Sequence, residues 1–259
     1  MFKFIRDFKR KRYARAPLPA EWAAIVDARL PFWRDWDAAE RERFMQHLMV
    51  FAQEKHWVGV RSVEITDEVK VVISAQAARI ARNLPLDAYD RVREIVVYPS
   101  HFRKPGMDHV TILGEANSWG TVVLSWDAVT QGIAHPADGH DTTIHEFAHM
   151  LDFADGEFDG TPSLHQVEDH HAWSRVLGEH YVRLRRKPGH GPVREYGATN
   201  EAEFFAVATE AFFERPLKLK REAPELYDEL HRFYRLHPDR RASKQAGSSS
   251  VKLRKAKRR

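Results

Sequence analysis

The sequence predicts an α+β protein in which a small mixed sheet packs against helices. Three observations carry that expectation. Strand-like runs at residues 95–98, 110–113 and 121–126 follow one another closely, rich in valine, isoleucine and threonine and punctuated by Pro99, Gly114 and Gly120. Segments with the apolar spacing of helices lie on both sides of that group. The chain has 259 residues, 43% hydrophobic and 30% charged, enough to bury a core of this kind.

Taken in order, residues 2–13 alternate aromatic and basic side chains until Pro17 and Pro19 stop them. This reads as a frayed end, with a short amphipathic helix against a membrane surface or a partner as the alternative. Helical spacing starts near Glu21. Asp37 with Glu40 forms a capping-box pattern ahead of a stripe made by Phe44, Leu48 and Phe51. Residues 57–65 read as extended through Val58, Val60, Val63 and Ile65. Asp67 reads as the cap of a helix carrying Val69, Val72, Ile73, Ala77 and Ile80, which ends before Pro85.

After the strand runs, Gly132, Pro136 and Gly139 mark residues 131–140 as a loop. A helix follows, because Ile144, Phe147, Ala148 and Leu151 fall at i, i+3, i+4 and i+7. Asp155-Gly156 and Asp159-Gly160 break the chain, and residues 165–185 return to helical spacing through Trp173, Val176, Leu177 and Leu184. Asn200 opens a strongly apolar helix that Pro216 closes, and a last helix near Pro224 carries Leu226, Leu230 and Phe233. From Pro238 the composition turns to Ser, Gly, Lys and Arg, the signature of a disordered tail. The expected organisation is a basic segment over 1–19, one domain over 20–237 and a basic tail over 238–259.

The formal charge of +4 conceals a separation. Residues 1–20 hold seven Lys/Arg and one Asp, and residues 240–259 hold nine Lys/Arg and no acid, which leaves residues 21–239 at −11. A nucleic-acid-binding fold carries its basic patch on the folded surface, so specific nucleic-acid recognition is not expected. The ends read as solvated tails with weak, salt-sensitive attraction to polyanions. Zero cysteines exclude disulfides, thiolate nucleophiles and cysteine-ligated zinc. No apolar run approaches the roughly 18–20 residues of a membrane span, and no apolar stretch follows the basic start as in a secretory signal. The expectation is a cytoplasmic protein.

The chemistry centres on His145-Glu146-Phe147-Ala148-His149. At about 3.6 residues per turn, histidines four apart share one helix face and can offer two imidazole nitrogens to one cation. Glu146 lies about 100° around, placed to act on a metal-bound water rather than on the metal. A catalytic zinc usually takes three protein ligands and leaves a fourth position to water. Asp155, ten residues past His145, is a weak third candidate, because Asp152 stands where that pattern requires glycine and no methionine follows to form its turn. The apolar helix after Asn200 offers Glu201, Glu203 and Glu210. A buried carboxylate there needs a partner. Asn200 with Glu203 also fits a capping box, in which the glutamate only closes its own helix, so spacing leaves ligand and cap open.

Several blocks in fixed order then carry a resemblance: residues 63–68, 75–78, 97–99, 114–116, 120–126, 145–152 and 201–207. Together they resemble the Mlc titration factor A family of bacterial zinc peptidases, over roughly residues 20–236. The tract from Tyr196 to Ala206 also resembles the catalytic domain of anthrax lethal factor. The resemblance implies a zincin-like metallopeptidase holding one Zn²⁺ on His145, His149 and Glu203, with Glu146 as general base and then acid. It implies that Tyr196 points into the site, where its hydroxyl would stabilise an oxyanion. It further implies aminopeptidase-type cleavage and a partner, the sugar-uptake repressor Mlc. A non-catalytic module that sequesters such a regulator is the alternative.

Two departures stand out: Asp141-Thr142-Thr143 where family members tend to have Asn-Val-Val, and Glu157-Phe158-Asp159 where they tend to have Ala-Asn-Gly. Asp152 is read as an acceptor for an imidazole N–H or as a solvent-facing acid. Glu210 is read as structural, and residues 121–126 as an edge strand along which a peptide adds.

Overall fold

The computed structural model describes residues 2–101 and 113–239. Four strands are present among them, β1 (His56–Gly59), β2 (Glu94–Tyr98), β3 (Gly114–Ala116) and β4 (Thr121–Ser125). Ile95 and Val97 of β2 are fully buried, as are Val122 and Leu124 of β4 beside them, and this alternation of two seats one sheet face on the core. The spatial order is β1-β2-β4-β3, with β1 and β4 parallel to β2 and β3 antiparallel to β4.

Helices surround the sheet. Before it come α1 (Phe2–Arg15), α2 (Ala20–Arg29) and α3 (Ala38–Glu54), and α4 (Asp67–Ala81) crosses over from β1 to β2. After it come α5 (Trp126–Ala134), α6 (Thr142–Asp152), α7 (Asp169–Arg186), α8 (Glu201–Glu214), α9 (Pro216–Glu222) and α10 (Pro224–Tyr234). The main core joins the sheet to α4, α6, α7, α8 and α10, and a smaller one lies between α2, α3 and α4. Phe147 of α6 meets Phe51 of α3 with ring centroids 5.2 Å apart and Tyr89 at 5.5 Å, which fixes the apolar side of α6. No described helix is long and apolar enough to cross a membrane.

The mixed α+β expectation stands, with corrections of detail. The run at 121–126 is not an edge strand, because β4 is paired on both sides and β3 is the terminal strand. Trp126 belongs to α5, whose first turn carries Asp127, its carboxylate accepting the Ala128 amide at 2.7 Å. The extended run from 57 stops at Gly59, where the chain doubles back so tightly that a Cβ would lie 1.9 Å from the Val63 carbonyl oxygen. Arg61 and Ser62 make that reversal in the left-handed region. Thr66 rather than Asp67 caps α4, accepting the Val69 amide at 3.3 Å. Pro216 ends α8 and also starts α9, since proline fits the first helical position. Residues 110–112 of the second strand run, and the tail from 240, lie outside the described residues.

The N-terminal stretch departs most from expectation. It is not frayed: α1 packs on α3 through Arg10, which is buried and grips Glu54 with bonds of 2.8 and 2.6 Å and Asp90 at 2.7 Å. A guanidinium fork matched to two carboxylates compensates the desolvation of its charge.

His47 on α3 gives the fold a measurable pH dependence. Burial, aided by the charge of Arg10 and opposed by a 3.1 Å contact with the Leu84 carbonyl oxygen, pushes its pKa down to about 4. The unfolded chain takes up this proton near pH 6.5 and the folded chain does not. The part of the stability owed to His47 is therefore intact above about 6.5 and falls by roughly 3 kcal/mol as pH drops to about 4. In His47→Gln, whose amide can still donate to Leu84, denaturant melts between those pH values should lack this loss. An unchanged slope would assign the dependence to other groups.

Candidate metal centre

Helix α6 is set by its cap. Asp141 accepts the Thr143 and Ile144 amides at 2.8 and 3.0 Å, and its second oxygen takes a 2.5 Å bond from Gln76 of α4. Burial pushes the Asp141 carboxyl up to about 6, against the pull of the Ile144 amide. Helix α8 is set the same way by Asn200, whose side chain accepts the Glu203 amide at 2.8 Å. The two readings of Glu203 thus divide between its atoms. Its backbone is capped, and its carboxylate turns away from Asn200 toward the histidines.

There, Glu203 Oε2 lies 3.0 Å from His145 Nε2 and 3.4 Å from His149 Nε2. The two Nε2 atoms are 3.2 Å apart. Two helices have brought three donor atoms into a near-equilateral triangle. An ion held tetrahedrally at about 2.0–2.1 Å would space such ligands at about 3.3 Å. Glu203 Oε2 is also buried without a properly directed hydrogen bond, as a metal ligand would be. The donor set therefore fits a cation, and His145, His149 and Glu203 form the one such cluster among the described residues.

The surrounding charges act accordingly. Burial works to lower the His145 imidazole, but the closeness of the Glu203 carboxylate, the bond to Glu210 and the Glu146 charge raise it to about 10. Burial works to raise Glu203, and closeness to both imidazoles holds it well below the usual carboxylate range. Both shifts express one fact: a site this rich in carboxylates needs a positive charge.

Glu146 sits beside the triangle and outside it. Burial raises its pKa, opposed by the two imidazoles and by a hydrogen bond from the Ala116 amide of β3. Gly114 makes this approach possible, since a Cβ there would come within 2.6 Å of Glu146 Oε1 and 2.7 Å of its Cγ. The terminal strand and the general-base candidate thus touch directly.

Glu210 and Asp152 exchange their expected parts. Glu210 is fully buried on α8, seven residues past Glu203, and its Oε1 accepts His145 Nδ1–H at 2.9 Å and Arg194 Nη2 at 2.6 Å. Its Oε2 accepts the Asp141 amide at 2.8 Å, which ties the start of α6 to α8. Asp152 contacts no imidazole. It is fully buried, neither solvent-facing nor an imidazole partner, and accepts the Gly160 amide at 3.0 Å, with burial pushing it up to about 7. The shared face of Glu203 and Glu210 was the available signal; the network of Arg194, Gln76 and Asp141 had none.

The loop after α6 is pinned. Arg91 donates to the Ala154 and Asp155 carbonyl oxygens, each at 2.9 Å, and Trp173 donates to the Gly160 carbonyl at 2.9 Å. Asp155 uses its carboxylate on the Glu157 amide at 3.1 Å. Phe158 stacks on Phe153 with centroids 4.5 Å apart and faces the His149 ring at 6.1 Å. On the other flank Tyr196 rises from a 3₁₀ turn, 52% exposed, its ring 5.8 Å from that of His145. Its hydroxyl donates to Glu203, and burial with the charges of Glu203 and Glu146 pushes its pKa up to about 12.

A model of the glucose-regulated metallo-peptidase M90 family matches residues 5–235. An uncharacterized protein of Synechocystis is 33% identical over 246 residues, 90% of each chain. Mlc titration factor A of Serratia proteamaculans is 28% identical over 90% of this chain and 94% of its own. The protein of that name from Yersinia pestis is 24% identical over 86% and 87%. The family match takes in α1, the sheet and both helices of the metal cluster, and the chain belongs to the glucose-regulated metallo-peptidase M90 family.

Proposed function

We propose that the protein is a zinc-dependent peptidase in which His145, His149 and Glu203 hold the ion and Glu146 moves the proton. The observation that carries this reading is the triangle of donor atoms with edges of 3.0, 3.2 and 3.4 Å, with Glu146 alongside but not part of it. Two imidazoles and a carboxylate suit zinc, which when bound supplies Lewis acidity and brings a water's pKa toward about 7. Glu146 takes the proton of the attacking water and returns it to the leaving amine. Tyr196, resting on Glu203, donates its hydroxyl to the developing oxyanion. Glu210 orients His145 so that Nε2 faces the site.

The substrate peptide adds along β3, where the Ala116 amide and Glu146 already meet, with Phe158 and Tyr196 flanking the scissile bond. The hydrolytic unit is residues 20–237, with α1 docked on it and the basic tail from 238 outside the chemistry. Cleavage of the aminopeptidase type and a cytoplasmic setting complete the reading. Family resemblance supports the cleavage mode, and the lack of cysteines is compatible with the setting.

The purified full-length chain should carry about one zinc per chain. A chelator should remove metal and peptide hydrolysis together, and added zinc should restore both. Hydrolysis that persists in fully metal-free protein would overturn the proposal. The name shared by the Serratia and Yersinia relatives supports a second activity, capture of an Mlc-like transcriptional repressor. If capture is separate from catalysis, repressor pull-down should survive both the chelator and His149→Ala.

A further inference from the structure

We propose that α1 is a docking surface for anionic lipid bilayers, an attachment separate from the metal centre. Its inward side is held by Arg10 on Glu54 and Asp90 and by Arg6 on Asp90 at 2.6 Å, so its outward side has a fixed direction. That side presents Phe4, Ile5 and Phe8, which are 77%, 46% and 65% exposed. At about 100° per residue these three occupy an arc of about 100°. Lys11, Arg12 and Arg15 continue the same side along the helix and are exposed, with exposed Lys9 at its margin. The single acid of α1, Asp7, is partly buried and lies at the opposite margin, about as far beyond Lys11 as Lys9 lies beyond Ile5. The result is an apolar ridge running into a cationic one.

A contiguous exposed apolar ridge on a folded protein marks a contact surface. The cationic flank calls for an anionic partner, and an acid-rimmed groove of another protein is the competing occupant that protein-free vesicles exclude. A nucleic acid would use the cations, but nothing in it receives Ile5. A planar anionic bilayer satisfies both halves, taking the aromatic and aliphatic side chains at the headgroup boundary and the lysines and arginines at its charged surface. It also meets only one side of the molecule. Residues 21–239 carry −11 and residues 1–20 carry +6, so the surface field turns α1 toward the membrane and the acidic body away.

The test is sedimentation of the full-length protein with vesicles of phosphatidylcholine alone or of phosphatidylcholine and phosphatidylglycerol in equal parts. The protein should sediment with the mixed vesicles and not with the neutral ones. Phe4→Ser with Phe8→Ser should lower partitioning at least about tenfold, and Lys9→Glu with Lys11→Glu and Arg12→Glu should remove its salt sensitivity. Because the chain has no cysteine, Phe8→Cys can carry a single environment-sensitive dye, whose emission should shift to the blue on mixed vesicles only. No sedimentation with mixed vesicles overturns the proposal. So does wild-type binding by the double phenylalanine variant, which would leave the attraction to the tail. Retention on duplex DNA that the phenylalanine variant loses in equal measure would overturn it in favour of a nucleic acid.

Discussion

Replacing Glu146 with glutamine should lower peptide turnover by about 10²–10⁴-fold while the metal stays bound. Glutamine keeps the volume of the side chain and retains an oxygen for the Ala116 amide, so the contact with β3 survives. What it loses is the ability to take a proton. The three converging atoms belong to His145, His149 and Glu203, so metal content measured by elemental analysis should match the parent protein. The loss should fall on kcat, with KM little changed, because the proton moves only as the tetrahedral centre forms. Turnover preserved at full metal content would remove Glu146 from the mechanism.

The second large effect is expected at Glu210, which no sequence motif marks as functional. Its carboxylate accepts from His145 Nδ1, Arg194 Nη2 and the Asp141 amide in a place fully closed to water. Glu210→Ala leaves a buried imidazole N–H and a backbone N–H without their acceptor and takes one partner from the partly exposed Arg194, and should cost about 2–4 kcal/mol in denaturant unfolding. Glu210→Gln keeps the shape but exchanges one acceptor oxygen for a donor facing other donors. The imidazole then loses the anchor that aims Nε2, and zinc affinity in a chelator competition should fall about 10–100-fold. Parent-like affinity in Glu210→Gln would mean that packing alone orients His145.

Elements whose stabilising pattern is local were readable from the chain. Asp37 and Glu40 form the reciprocal capping box that their spacing predicts. The stripe of Ile144, Phe147, Ala148 and Leu151 is buried on α6, and the phenylalanines of α8 lie in the same core. Elements shaped by distant contacts were not. The run at 121–126 has strand-like residues throughout, and only the pairing of β4 with both β2 and β3 removes it from the edge. The aromatic and basic stretch at the start looked frayed because its anchor, Arg10, meets carboxylates 44 and 80 residues further along the chain.

The same division runs through the site. By itself the sequence determined that two imidazoles share one helix face with a carboxylate offset beside them, since helical geometry follows from the backbone alone. Only the tertiary structure decided which carboxylate does what. Glu203 turns inward while its amide is capped, Glu210 takes the imidazole, and Asp152 holds the loop at Gly160. The direction of a side chain on one helix depends on what the neighbouring helix places opposite it, and α6 and α8 are joined by some fifty residues whose path periodicity does not specify.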